Sequence, residues 1–185
     1  MSARVLVACL ALWALLSSTP AIAHDDESPP AHISVPGEAQ DLRGYVYEDR
    51  WVELNETGEL CISSQLRSPP LFNRVLRTSP ALRSVEILID KAAQPRKLRV
   101  KAWHRVAKGP VAVPRGPRET LKHRLRPQVA PDGTTIGWRV ILHVRLEQPY
   151  FLSLFAQWPD QSGCTIASGK PKRQFTAWAF GVVPK

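Results

Sequence analysis

The sequence predicts an all-β protein, an immunoglobulin-like β-sandwich of roughly seven to nine strands, with an open β-barrel as the alternative architecture. Three observations carry that expectation. Apolar residues recur with a period of two in several separate stretches, the pattern of half-buried strands. Gly, Pro, Asn and Asp clusters divide those stretches at the spacing of a sandwich. No stretch sustains a helical period, and no internal repeat is evident.

The clearest strands lie between Trp138 and Trp158. Val140, Leu142, Val144 and Leu146 alternate with Arg139, Ile141, His143 and Arg145. A short turn at Glu147-Gln148-Pro149 leads into a second strand, where Leu152, Leu154, Ala156 and Trp158 share a face while Phe151 and Phe155 load the other. A strand apolar on both sides is central in a covered sheet or has some other cover.

From the N-terminus, residues 1–23 read as a signal peptide. Arg4 supplies the positive charge, Val5 to Leu16 the apolar core, and Ala21-Ile22-Ala23 a small-x-small cleavage site. Twelve apolar residues are too few to span a bilayer, which takes about 20. The expectation is therefore export, to the periplasm or outside the cell, as a mature chain beginning at His24. Cys9 in Leu6-Val7-Ala8-Cys9 offers a lipidation alternative if the true start lies elsewhere.

Residues 24–43 are polar, acidic and Pro-containing, and are expected to be a mobile arm. One domain is expected over 44–185. Within it, Tyr45-Val46-Tyr47, Trp51 to Leu54 and Glu59 to Leu66 are strand candidates. Arg67 to Pro80, with three prolines, suits a short helix or an irregular crossing. Ser84 to Asp90 is a strand, Lys91 to Arg96 a hairpin-length turn, and Lys97 to Val106 a strand of unusual regularity. Glu119 to Arg126 fits a helical turn and a strand equally. Pro131-Asp132-Gly133 is a turn, since proline presets φ and glycine accepts φ > 0. Phe175 to Val183 closes the chain as an apolar strand.

Two cysteines survive maturation, Cys61 and Cys164. An even pair in an exported chain predicts one disulfide. It closes a loop of about 100 residues, for which chain entropy gives roughly 4–5 kcal/mol.

The protein is basic, with a net charge of +9, and the charge is uneven. Residues 24–60 hold 10 acids and 2 bases, whereas residues 61–185 hold 6 acids and 22 bases. Such asymmetry marks an interaction surface or an acidic arm able to lie across it. On the strand from Lys97, the residues Lys97, Arg99, Lys101, Trp103 and Arg105 share one face. Arg139 and Arg145 extend that face if the two strands share a sheet. Alternate residues on a strand lie about 7 Å apart, so the cations form a ladder suited to an anionic polymer or an envelope surface.

No G-x-S-x-G elbow, glycine-rich phosphate loop, C-x-x-C or H-E-x-x-H pattern occurs. A binding or structural role is thus expected ahead of catalysis, and no cofactor is called for by a motif. Copper is the exception to consider. An N-terminal His24 offers both an amine and an imidazole, and with His104 or His143 it resembles the histidine brace of copper-binding sandwich proteins, among them lytic polysaccharide monooxygenases and small periplasmic copper carriers. That resemblance implies a copper-binding protein or enzyme, and it requires the N-terminus to be pinned to the sandwich. A third expectation is an accessory subunit of an envelope assembly. There Phe151 and Phe155, with Trp178, Phe180 and Val182, meet a protein partner or a cover from residues 67–80 or 107–126.

Overall fold

The computed structural model describes residues 28–37, 39–54, 61–107, 112–159 and 174–185, with 51–54 and 61–65 described by backbone alone. Among them there are fourteen strands and no helix. The signal peptide, His24 and Cys164 lie outside the described residues, so the predicted disulfide does too.

Strands β1 (Ala31–Ser34), β2 (Asp41–Arg43), β6 (Ser84–Ile89), β11 (His123–Val129) and β12 (Thr135–His143) form a five-stranded sheet in the order β11-β12-β6-β1-β2. A seven-stranded sheet runs β10 (Glu119–Leu121), β7 (Lys97–Trp103), β13 (Tyr150–Trp158), β14 (Gln174–Pro184), β3 (Tyr45–Leu54) and β4 (Cys61–Arg67). Its last member, β5 (Val75–Thr78), pairs in parallel with the end of β14. A small ribbon joins β8 (Arg105–Val106) to β9 (Pro114–Arg115). Among the described residues neither large sheet closes on itself, so they form no closed barrel.

The two sheets share one core. Ile33, Val85, Ile87, Ile89, Val140 and Leu142 come from the smaller sheet, and Val100, Leu152, Leu154, Trp158, Trp178 and Phe180 from the larger; all are buried in a single cluster. Period-two alternation is what allows this, because each strand presents one side to the gap between the sheets.

Expectations are corrected or resolved at four places. The mobile arm gives way to strand structure from Ala31 onward. β1 sits between β2 and β6, with Ala31, Ile33 and Val35 buried. Their alternation with His32 and Ser34 outweighs the acidic and proline-rich flanks. Second, the segment at 91–96 is not a hairpin, because β6 and β7 belong to different sheets. Third, the expected turn at Glu147-Gln148-Pro149 forms, but it carries the chain from β12 in one sheet to β13 in the other, and the strand before it is shorter than expected. β12 ends at His143, and Val144 and Leu146 are buried in the crossing. Fourth, the ambiguous stretch from Glu119 is two strands. The chain leaves the larger sheet after Leu121 and enters the smaller at His123.

Indole N–H groups hold these passages. Trp138 donates to the Ala92 carbonyl and Trp158 to the Ala93 carbonyl, each at 2.9 Å, so a tryptophan from each sheet grips the crossing between β6 and β7. Trp178 donates to the Pro29 carbonyl at 3.0 Å and anchors the approach to β1. The last of these bonds is buried, where a carbonyl outside a strand ladder needs such a partner. The predicted turn forms as expected between β11 and β12: Gly133 has φ +87°, and the Asp132 carboxylate accepts the Thr134 N–H at 2.9 Å.

Candidate anion-binding face

The outer face of the seven-stranded sheet is built from residues of opposite parity to the core. β7 contributes Lys97, Arg99, Lys101 and Trp103. The register sets Gln157, Phe155, Ser153 and Phe151 of β13 beside them in that order. β14 adds Phe175, Ala177 and Ala179, paired with Gln157, Phe155 and Ser153. β3 brings Arg50, Glu48 and Tyr45 opposite the same three β14 residues. A bulge leaves Tyr47 without a direct partner there.

This face has two halves. Near Phe151 it is capped by the chain itself. Phe72 lies 5.3 Å from the Phe151 ring and 6.4 Å from Trp103. Phe72, Phe151 and Ala179 form a second buried cluster with Trp103, Val75 and Ala112 packed against it. The cover thus comes from both expected segments, 67–80 and 107–126. Phe72 N–H donates to the Ala112 carbonyl at 3.1 Å, and Asn73 Oδ1 accepts the Ala112 N–H at 3.3 Å. Trp178, Phe180 and Val182 do not join this surface. They point into the main core, since they pair in register with Leu154, Leu152 and Tyr150.

The other half is open and cationic. Lys97 and Arg99 are exposed and Lys101 is partly so. No ion pair among the described residues engages these three. Burial pulls the Lys101 ammonium below its ordinary range, and the like charges of Arg118 and Arg99 pull it further, against the opposing effect of Glu48. Cations crowded this way leave a positive field that a bound anion relieves. Phe155 and Phe175 stand beside the cations with centroids 5.4 Å apart and planes inclined by 32°; Phe155 neighbours Arg99, and Phe175 neighbours Arg50.

The predicted ladder is therefore divided. Lys97, Arg99 and Lys101 stay together. Trp103 belongs to the capped half, and Arg105 sits on the β8–β9 ribbon. Arg139 lies on the other sheet, 3.4 Å from Glu86, and Arg145 follows β12 in the crossing. The extension from β7 to β12 assumed a shared sheet, and that assumption fails. Conversely, Arg50 and Phe175 join the face through pairings remote in sequence, and Arg118 adds its charge beside Lys101. Only the alternation of Phe175, Ala177 and Ala179 hinted at one of them.

Tyr47 closes the floor between the halves. Its hydroxyl shares a 2.6 Å hydrogen bond with Ser153 Oγ across β14, whose residues there are only Ala177 and Ala179. Burial is the main reason the phenol is pushed above its usual value; the bond to Ser153 opposes that shift and Glu48 adds to it. The folded state then holds this proton where the unfolded chain releases it. Stability contributed by Tyr47 is full below about pH 10 and falls as pH rises through the higher folded value. Tyr47→Phe should cost about 1 kcal/mol at pH 7. It should also flatten the decline in stability above pH 10, as read from urea midpoints across pH; an unchanged slope would contradict this assignment.

The histidines are placed apart. His104 stands at the end of β7, with Nδ1 2.9 Å from the Pro149 carbonyl, Nε2 3.1 Å from Glu119, and its ring edge-on to Tyr150 at 4.7 Å. His143 ends β12 on the opposite sheet. No group of three or more His, Cys, Asp or Glu side chains is arranged for a metal ion among the described residues, and His24 lies outside them.

No protein-family model matches the sequence, and no curated protein or solved structure shows significant similarity to it.

Proposed function

We propose that the protein is exported to the cell envelope and acts there without catalysis, binding an acidic polysaccharide through the open half of the larger sheet. The observation that carries this reading is the grouping of Lys97, Arg99 and Lys101, unpaired among the described residues, beside the Phe155–Phe175 pair. Cations supply the attraction for a negatively charged chain, and the half-buried rings give its sugar units an apolar surface to lie on. The signal peptide at 1–23 puts the protein where such polymers occur, and it favours them over nucleic acid. The same reading includes the immunoglobulin-like character of the sandwich and the Cys61–Cys164 disulfide, which suits an oxidising compartment.

Retention on an immobilised sulfated polysaccharide tests the proposal. Wild type should be held at low salt and released as salt rises, because charge-driven binding weakens steeply with ionic strength. The double variant Arg99→Ser, Lys101→Ser should elute earlier, with a salt dependence shallower by about two charges. Phe155→Ala should weaken retention at unchanged net charge. Equal elution of wild type and the double variant would remove this face from consideration. Stronger retention on single-stranded DNA of matched charge density would overturn the choice of polymer.

A further inference from the structure

A cavity of about 300 Å³ lies at the corner where the chain passes from β2 to β3, lined by Leu42, Arg43, Gly44, Tyr45, Leu71, Asn73, Arg74 and Ala179. The chain changes sheets there, and the segment from Leu71 to Arg74 closes the far side. The walls are of two kinds. Leu42 and Ala179 are buried, Leu71 is partly so, and Gly44 presents bare backbone, which together make an apolar floor. The polar side chains among the described lining residues are all suited to donate. Two are guanidiniums, which have no acceptor. Asn73 already commits its Oδ1 to the Ala112 N–H, so its amide hydrogens remain. Tyr45 offers a hydroxyl and is 43% exposed.

Among the described residues no carboxylate lines the cavity, and no ion pair engages Arg43 or Arg74. Two unneutralised guanidiniums beside an apolar floor match a ligand that is anionic at one end and apolar at the other. The volume is at the lower end for small-molecule sites, roughly 300–1,000 Å³.

We propose that this cavity binds a small amphiphilic anion, with a short acyl or aromatic body on the floor formed by Leu42, Leu71 and Ala179 and a carboxylate or phosphate head held by Arg43 and Arg74. Guanidinium forks bind both heads through paired N–H donors, so the two share one recognition chemistry. This site is separate from the cationic face around Arg99 and stands or falls independently of it.

Calorimetric titration with octanoate, octyl phosphate, octanol and acetate tests the assignment, with amide shifts of Gly44 and Ala179 locating the ligand by NMR. Octanoate or octyl phosphate should bind and move both amides, and the tighter of the two identifies the natural head group. Octanol and acetate, each lacking one half of the chemistry, should bind about tenfold more weakly or worse. Arg43→Gln with Arg74→Gln should weaken the anions by about tenfold while leaving octanol unchanged. Should that double variant fail to fold, Arg74→Glu alone, at an exposed bend, should give the same loss. Arg99→Ser with Lys101→Ser should bind octanoate as wild type does. Absence of binding by both anions, octanol binding as tightly as octanoate, or full affinity in the folded arginine variants would each overturn the proposal.

Discussion

Replacing Trp178 by alanine should destabilise the protein by about 3–5 kcal/mol, the usual cost of truncating a large buried aromatic side chain. Trp178 is fully buried, packs edge-on against Trp158 at 6.2 Å and 87°, and donates its N–H to the Pro29 carbonyl. The change opens a cavity between the two sheets and releases the chain entering β1. Small domains are stable by only about 5–15 kcal/mol, so such a loss is a large share of the whole. Urea denaturation should show a lower midpoint with little change in slope. Trp178→Phe separates the two contributions, since it keeps most of the ring volume and removes the donor. A midpoint for Trp178→Ala within error of wild type would mean that the core is not organised around this residue.

The second large effect is expected at Gly44. A Cβ placed there would lie 2.6 Å from two carbons of the Phe180 ring and 3.0 Å from Trp178 Cβ. Phe180 is buried and fixed in the core, so it cannot swing aside at low cost. Gly44→Ala should therefore cost about 2–3 kcal/mol, an overpacking penalty, measured in the same urea experiment. Gly133→Ala makes a useful comparison, because a Cβ there meets nothing within 4 Å and only the positive φ resists it. Its cost should be the smaller of the two. The reverse order would show that backbone conformation, not the approach of Phe180, is what demands glycine at the corner.

Gly44 illustrates why part of this molecule could be read from the chain and part could not. As a sequence feature it looked like the start of the domain. In the fold it is the point where the chain leaves one sheet for the other, hydrogen-bonded to the Ala31 carbonyl at 2.7 Å. The strands on either side alternate, so β-structure was evident. Which sheet each strand joins was not, because a short turn between two alternating strands is compatible with a hairpin or with a crossing. At 91–96 and 147–149 it is a crossing, which the local pattern does not specify. The indoles of Trp138 and Trp158 that grip the first of them act across 46 and 65 residues, beyond any local pattern.

The candidate face divides along the same line. The cations of β7 were legible because Lys97, Arg99 and Lys101 occupy alternate positions of one strand, and strand geometry alone puts them on one side. Their aromatic neighbours, and the loss of Arg139 to the other sheet, depended on partners chosen in three dimensions. At the arm the conflict is between composition and local pattern. Composition spoke for disorder, while the four residues of β1 spoke for a strand, and a strand that short acquires its stability only between two neighbours.

By itself, then, the sequence determined the all-β character, most strand positions, the turn at Pro131-Asp132-Gly133, and the basic side of β7. These follow from period-two alternation and from the φ preferences of proline and glycine, which act within a few residues. The tertiary structure alone decided the sheet to which each strand belongs, the capping of Phe151 by Phe72, the division of the basic ladder, and the arginine-lined cavity at Gly44. Each of these depends on contacts between residues far apart in the chain, where burial and hydrogen-bond satisfaction, not local pattern, select the partner.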